Sequence, residues 1–243
     1  MNNYIEYFTN YVYKNYDMNN QFISLKYYHS LRVAWLMSLL ASKLNMCDED
    51  IVFAFKLGLC HDLGRFYEVA RIGRFDNIGF DHGAYSNKIL YNDLFINYMD
   101  ISEHVLFRKA IYNHNKKDIN NIVNNRELVF TNLLRDADKI DILRIRSNKD
   151  ILNFDSLPDT KVLSNYMSNQ TINLKDIKGM VDSTILYLSF FKDLYYRVSH
   201  DVVINHGYLD DFLKIVQVSE SNQELFDNLI NKIYEERGKV YVR

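Results

Sequence analysis

The sequence predicts an all-α protein, and three observations lead there. Its 243 residues include one proline, Pro158, and 8 glycines, too few turn-formers for a sandwich or a barrel. Apolar residues recur at helical spacing along most of the chain. Hydrophobic residues make up 48% and charged residues 25%, the balance of an ordinary globular protein. A chain of this length buries a substantial core and reads as one large domain rather than two small ones.

The elements follow in order. The opening stretch, "MNNYIEYFTNYVYKNYD", is polar and aromatic, without the basic start, apolar centre and small-residue cleavage site of a secretory signal. From Phe22 to Leu44, the positions Leu25, Val33, Leu36, Leu40 and Leu44 mark one apolar helical stripe. A second helix starts at Asp48-Glu49-Asp50, since acidic residues favour a helix N-terminus. It runs through Ile51, Ala54, Leu57 and Cys60 to His61. In "GRFYEVARIGRFDNIGFDHG" four glycines interrupt any pattern, so the segment reads as a loop carrying Arg65, Arg71 and Arg74. Helical patterns resume over 82–92, 101–114 and 126–146. After the polar break "SNKDILNFDSLPDT" they continue over 173–197, 209–218 and 222–237.

Several function classes are disfavoured. A formal net charge of −2 provides no global field for gripping a nucleic-acid backbone, so long DNA or RNA is not the expected partner. Cys47 and Cys60 are the only cysteines. Two thiols make neither a disulfide framework nor a four-thiolate zinc site, and they suit a reducing compartment. No apolar run approaches the roughly 20 residues of a membrane span, so a cytoplasmic protein without membrane contact is expected. A small phosphorylated molecule held by a few local cations stays open.

Polar residues on inner faces carry the functional signal. "LCHDLGRF", residues 59 to 66, ends an apolar helix in His61 and Asp62. The simplest account is a helix C-terminus, with Gly64 beyond it in the left-handed region. The sharper account makes His61 and Asp62 adjacent ligands of one metal ion. The dipeptide alone decides nothing, because His200-Asp201 repeats it in "RVSHDVVINHG". Further candidates stand at ends or inner faces of helices. His29 shares a stripe with Val33, Leu36 and Leu40; His82 opens "DHGAYSNKIL" and His114 closes "LFRKAIYNHNKK". "LLRDADKIDILRIR" supplies Asp136, Asp138 and Asp141. Burying several carboxylates and imidazoles together is costly unless a cation compensates, and a divalent metal is the simplest one. Asp136 and Asp138 lie about 200° apart around a helix, so one metal takes only one of them, and periodicity does not choose.

The order of these residues resembles the HD superfamily of metal-dependent phosphohydrolases: a histidine, a His-Asp pair and an aspartate on separate helices. The match extends through "HDLGRF" and "ADKIDIL" and covers about residues 20–147. It implies an HD-domain helical bundle, and it leaves unexplained the C-terminal helical extension that the periodicity places over about 160–243. It also implies His29, His61, Asp62 and Asp138 as metal ligands, "ADKI" favouring Asp138 over Asp136. His82 and His114 resemble the extra histidines of members that bind two metals, as ligands of a second ion or as contacts to phosphate.

Two imidazoles and two carboxylates suit Mn²⁺, Fe²⁺, Co²⁺ or Ni²⁺ better than Mg²⁺. One such ion is expected, with a place for a second. Asp62 and Arg65 are the expected catalytic residues. The resemblance gives Asp62 the role of orienting a water, and the arginine fork suits phosphate oxygens. Lys116 and Lys117 either join Arg65 or form a solvated loop. The expected reaction is hydrolysis of a phosphate ester of a nucleotide or similar small compound. The extra histidines tilt it toward two metals and diester cleavage. The alternatives are a non-catalytic HD-type metal- or nucleotide-binding module and a plain helical scaffold. Oligomeric state stays open.

Overall fold

The computed structural model describes residues 1–75, 79–92 and 101–239. It is 72% helical, as expected from the scarcity of prolines and glycines. The chain divides into two compact units, residues 1–138 and 139–243. Among the described residues no helix is long and apolar enough to cross a membrane.

The first unit contains α1 (Asn2–Asn15), α2 (Gln21–Lys43), α3 (Asp48–Cys60), α4 (Leu63–Ile72), α5 (His82–Asn92), α6 (Ile101–Asn113) and the start of α7 (Asn125–Arg146). Helix α2 begins where Asn20 caps it, its side-chain oxygen accepting from the backbone N–H groups of Phe22 and Ile23. Helix α3 opens on the acidic triplet anticipated from the sequence. The two helices approach closely at Gly58, where a Cβ would lie 2.8 Å from the Ala34 Cα. That contact admits only glycine and fixes the depth at which α3 enters the unit. Phe53, Phe107 and Phe130 fill the core edge-to-face, with centroids 4.8 and 5.7 Å from Phe53. Val33, Met37, Leu40, Leu57 and Leu134 are buried in this core.

One helix of this unit was not anticipated and one expectation is corrected. The aromatic opening stretch forms helix α1. Its buried face carries Phe8 and Val12, and Phe8 stacks on Tyr27 and meets Phe66 edge-on. The segment read as a loop is helical from Leu63 to Ile72. Gly73 does end α4, in the left-handed region, and Gly79 also has a positive φ, but Gly64 is inside α4, where a Cβ would collide with the His82 carbonyl and approach the Ser86 N–H to 3.0 Å. Close approach to α5, not a left-handed turn, is why glycine stands there. Residues 76–78 of the same segment lie outside the described residues.

The second unit holds a short parallel pair, β1 (Leu152–Phe154) beside β2 (Val216–Val218), with Leu152 opposite Val216. Between and after them come α8 (Thr160–Met167), α9 (Met180–Lys192), α10 (Arg197–Asn205), α11 (Tyr208–Lys214) and α12 (Gln223–Lys239). The pattern anticipated over 173–197 narrows to α9, preceded by a single 3₁₀ turn at Leu174–Asp176. The pattern over 209–218 ends in a strand. Tyr166, Phe191, Phe212 and Leu229 form the centre of this unit, and the Tyr166 hydroxyl donates to the Leu229 carbonyl. Lys192 is buried here: its ammonium donates to the Tyr166 carbonyl at the end of α8 and to Asn169. Such donation satisfies carbonyls that a helix C-terminus leaves unbonded.

Candidate metal centre

The first unit brings four of the anticipated residues to one point. His29 is a fully buried member of α2, on the stripe that includes Val33, Met37 and Leu40. His61 and Asp62 form the link between α3 and α4, where the backbone leaves helical geometry at Asp62 for one residue. Asp138 comes from α7. His29 Nε2 lies 3.1 Å from Asp138 Oδ1 and 3.5 Å from Asp62 Oδ2. His61 Nε2 lies 3.4 Å from Asp62 Oδ2 and 3.7 Å from Asp138 Oδ1. Asp136 is buried but not in this group.

A second group shares Asp62. Its other oxygen, Oδ1, lies 3.5 Å from His114 Nε2 and 3.7 Å from His82 Nε2. The two imidazole nitrogens are 3.2 Å apart. Within each group the donor atoms all fall within 4.8 Å of one another. One carboxylate thus presents one oxygen to each set.

Local hydrogen bonds orient the imidazoles. His61 Nδ1–H donates to the Gly58 carbonyl at 2.7 Å, and His114 Nδ1–H donates to the Ile111 carbonyl at 2.6 Å. Both acceptors belong to the last turn of the helix that the histidine closes, where carbonyls lack intrahelical partners. Each bond leaves the Nε2 lone pair directed at the shared point, the arrangement typical of metal-ligating histidines. His82 differs, because its Nδ1 faces the Asn115 side-chain amide at 3.2 Å rather than a helix carbonyl. Ser86 ties the two groups into one register: its hydroxyl donates to the His61 carbonyl and accepts from the Gly64 N–H, both at 2.8 Å.

The donor set fits a divalent ion on internal grounds. His61 Nε2, Asp62 Oδ1 and Asp138 Oδ1 are buried without a hydrogen-bond partner. Buried polar atoms ordinarily have one, and convergent lone pairs repel unless a cation lies among them.

The HD domain family matches residues 27–145 of the chain. This stretch is an HD domain. Comparison with curated proteins and with solved structures gave no match. The HD domain is a helical fold, and the family consists in general of metal-dependent phosphohydrolases. All the residues of both ligand groups fall within the matched stretch.

Electrostatics around the HD centre follow from this crowding. Burial by itself would raise the Asp62 carboxyl, yet the Lys26 ammonium and the surrounding imidazoles hold it well below the usual carboxylate range. Asp138 is treated alike: burial opposes ionisation, and the adjacent His29 and His61 rings override it. For His61 burial disfavours the charged ring, but Asp62 and Asp138 together push its pKa up to about 10. His82 goes the other way, held well below the normal imidazole range by burial and then by the Arg65 charge. The carboxylates of the HD centre therefore favour a proton on His61, a position that a divalent ion would take over.

The remaining anticipated residues are placed as follows. Arg65 is on the first turn of α4 with Nε 4.0 Å from Asp62 Oδ1, and its Nη1 is paired at 2.7 Å with the buried Glu68. Lys116 forms an ion pair with Asp81 and lies over the Tyr112 ring, while Lys117 is exposed. Asp141 accepts from Arg144 within its own helix, and His200 meets the Leu194 carbonyl, so its His-Asp pair is a packing feature of the second unit. Lys26, Glu68, Ser86 and Asn115 were not singled out by sequence reasoning. Only Lys26 had a readable signal, standing one turn before His29 on the same helix face.

Proposed function

We propose that the protein is a metal-dependent phosphohydrolase that cleaves a phosphate ester of a nucleotide or a similar small phosphorylated compound. The observation that carries this reading is Asp62, whose two oxygens face two separate sets of imidazole and carboxylate donors. In this reading His29, His61, Asp62 and Asp138 hold one divalent ion, and Asp62, His82 and His114 hold a second. The mixed nitrogen and oxygen donors favour Mn²⁺, Fe²⁺, Co²⁺ or Ni²⁺. Ions held there supply Lewis acidity toward a phosphoryl group and a nucleophilic water at neutral pH.

The chain's own residues do the rest. Asp62, kept ionised by its neighbours, orients the attacking water through its carboxylate. Arg65 stands on the same turn and offers guanidinium N–H groups to phosphate oxygens, with Glu68 fixing its direction through the 2.7 Å pair. The Nδ1 hydrogen bonds of His61 and His114 hold their rings in place without any change on substrate arrival.

The test is product analysis after incubation with Mn²⁺ and a panel of nucleoside mono-, di- and triphosphates, cyclic mononucleotides and cyclic dinucleotides. Asp62→Ala protein is the control. Turnover by the wild type that the control lacks supports the reading, and the product identifies the bond cut. No turnover from protein shown to hold metal overturns it in favour of a metal- or nucleotide-binding module.

A further inference from the structure

The oxygen of Asp62 that faces the first ligand group also carries an ammonium. Lys26 Nζ lies 2.6 Å from Asp62 Oδ2, the same atom that is 3.5 Å from His29 Nε2 and 3.4 Å from His61 Nε2. Lys26 reaches this point from one turn before His29 on α2, and its side chain is 11% exposed, so a small part of it meets solvent. The Phe75 ring lies 5.4 Å from Lys26 Nζ and 5.9 Å from Arg65 Cζ. Phe22, also on α2, meets Phe75 edge-on at 5.5 Å. Two cations from different helices thus converge on one aromatic ring and on opposite oxygens of one carboxylate.

Charge balance gives the pair a purpose. Without metal, Lys26 compensates the buried Asp62 carboxylate. Once divalent ions occupy the ligand groups, that carboxylate is compensated by them, and the ammonium beside it becomes surplus positive charge. A lysine head has three N–H donors, and Asp62 takes one of them.

We propose that Lys26 is a phosphate-binding residue that works with Arg65 across Phe75 and selects a phosphomonoester. The choice of ester follows from counting oxygens. Lys26, Arg65 and the ligand groups ask for three separate terminal oxygens; a monoester has three and a diester two. The inference rests on the phosphohydrolase reading of the centre and names its substrate class.

The experiment titrates inorganic phosphate, which needs no turnover, into Mn²⁺-loaded full-length protein by calorimetry, after measuring the metal content of each sample. The proteins are wild type, Lys26→Met, Lys26→Arg and Phe75→Leu. The expected result is a phosphate affinity at least tenfold weaker for K26M at unchanged metal content, largely restored in K26R and weakened a few-fold in F75L. Equal affinity in K26M and wild type overturns the proposal, and so does absence of phosphate binding by the wild type. Loss of metal from K26M also overturns it, since Lys26 would then only hold Asp62 for the ligands. Lys26-dependent phosphate binding with no ester turned over would leave this inference standing while removing the phosphohydrolase reading. Turnover with an unchanged KM in K26M would do the opposite.

Discussion

Asp62→Ala should abolish both metal sites at once, whereas no other single ligand removal should. Asp62 is the member common to the two groups, and its two oxygens divide between them. An ion that binds only the folded state at a hundredfold excess over its dissociation constant stabilises by about 2.7 kcal/mol. For a chain of this size each kcal/mol raises the melting temperature by roughly 3 °C. The wild type should therefore melt about 8 °C higher for each occupied site when Mn²⁺ is added, and about 16 °C higher for two. Asp138→Ala and His114→Ala should each keep about half of that shift, since each removes a ligand from one group only. Asp62→Ala should keep almost none. The variant should still fold, because the Lys26 side chain that it leaves without a carboxylate is partly exposed and can turn to water. Differential scanning fluorimetry with and without Mn²⁺ reads the shifts, and elemental analysis of the same samples reads the ion count. A wild-type shift in Asp62→Ala, or identical losses in all three variants, would refute the shared-carboxylate reasoning.

Three further outcomes are expected. Asn115 is the neighbour of His82 Nδ1, and loss of such an orienting partner typically costs 10–100-fold in metal affinity. Asn115→Ala should thus weaken the second ion in a calorimetric titration and leave the first unchanged; equal weakening of both would contradict this. Because His61 has a pKa raised to about 10, it is protonated at neutral pH, and an entering metal must expel that proton. Apparent affinity for the first ion should rise close to tenfold per pH unit between about pH 7 and 8.5, and a flat profile there would show that no proton is displaced. The sign reverses for the metal-free protein: stability from the raised pKa is complete below about pH 6.5 and is lost as the pH climbs toward 10. Gly64→Ala forces a methyl group against the His82 carbonyl and the Ser86 N–H, with a cost of about 1–3 kcal/mol in overpacking. Chemical denaturation should show that loss together with weaker binding of the second ion, because His82 opens the displaced helix. A neutral substitution would mean that α4 and α5 can separate freely.

The sequence by itself determined that the protein is helical, because helix formation depends on local spacing and on the near absence of proline. It also supplied the chemistry of the centre. Imidazoles and carboxylates at inner faces are conspicuous, since burying them without compensation is unfavourable. Helix α1 was missed because its aromatic residues acquire a buried face only once Phe8 has Tyr27 and Phe66 to pack against. Helix α4 was missed for a related reason: Gly64 has the same identity whether it ends a helix or admits a neighbour, and only the path of α5 tells which. The strands β1 and β2 were illegible because three residues each carry no period, and their pairing joins positions 152 and 216.

Tertiary structure alone decided the arrangement within the centre. Asp136 and Asp138 are equivalent by helical periodicity, and the choice between them rests on which side of α7 meets α2 and α3. The division of Asp62 between two donor groups is a property of two oxygens 3.4–3.7 Å from four different rings, and no residue spacing encodes that. Lys26 likewise acquires its meaning across 36 residues of chain. Local sequence fixes what each side chain can donate or accept; packing fixes which of those atoms face one another.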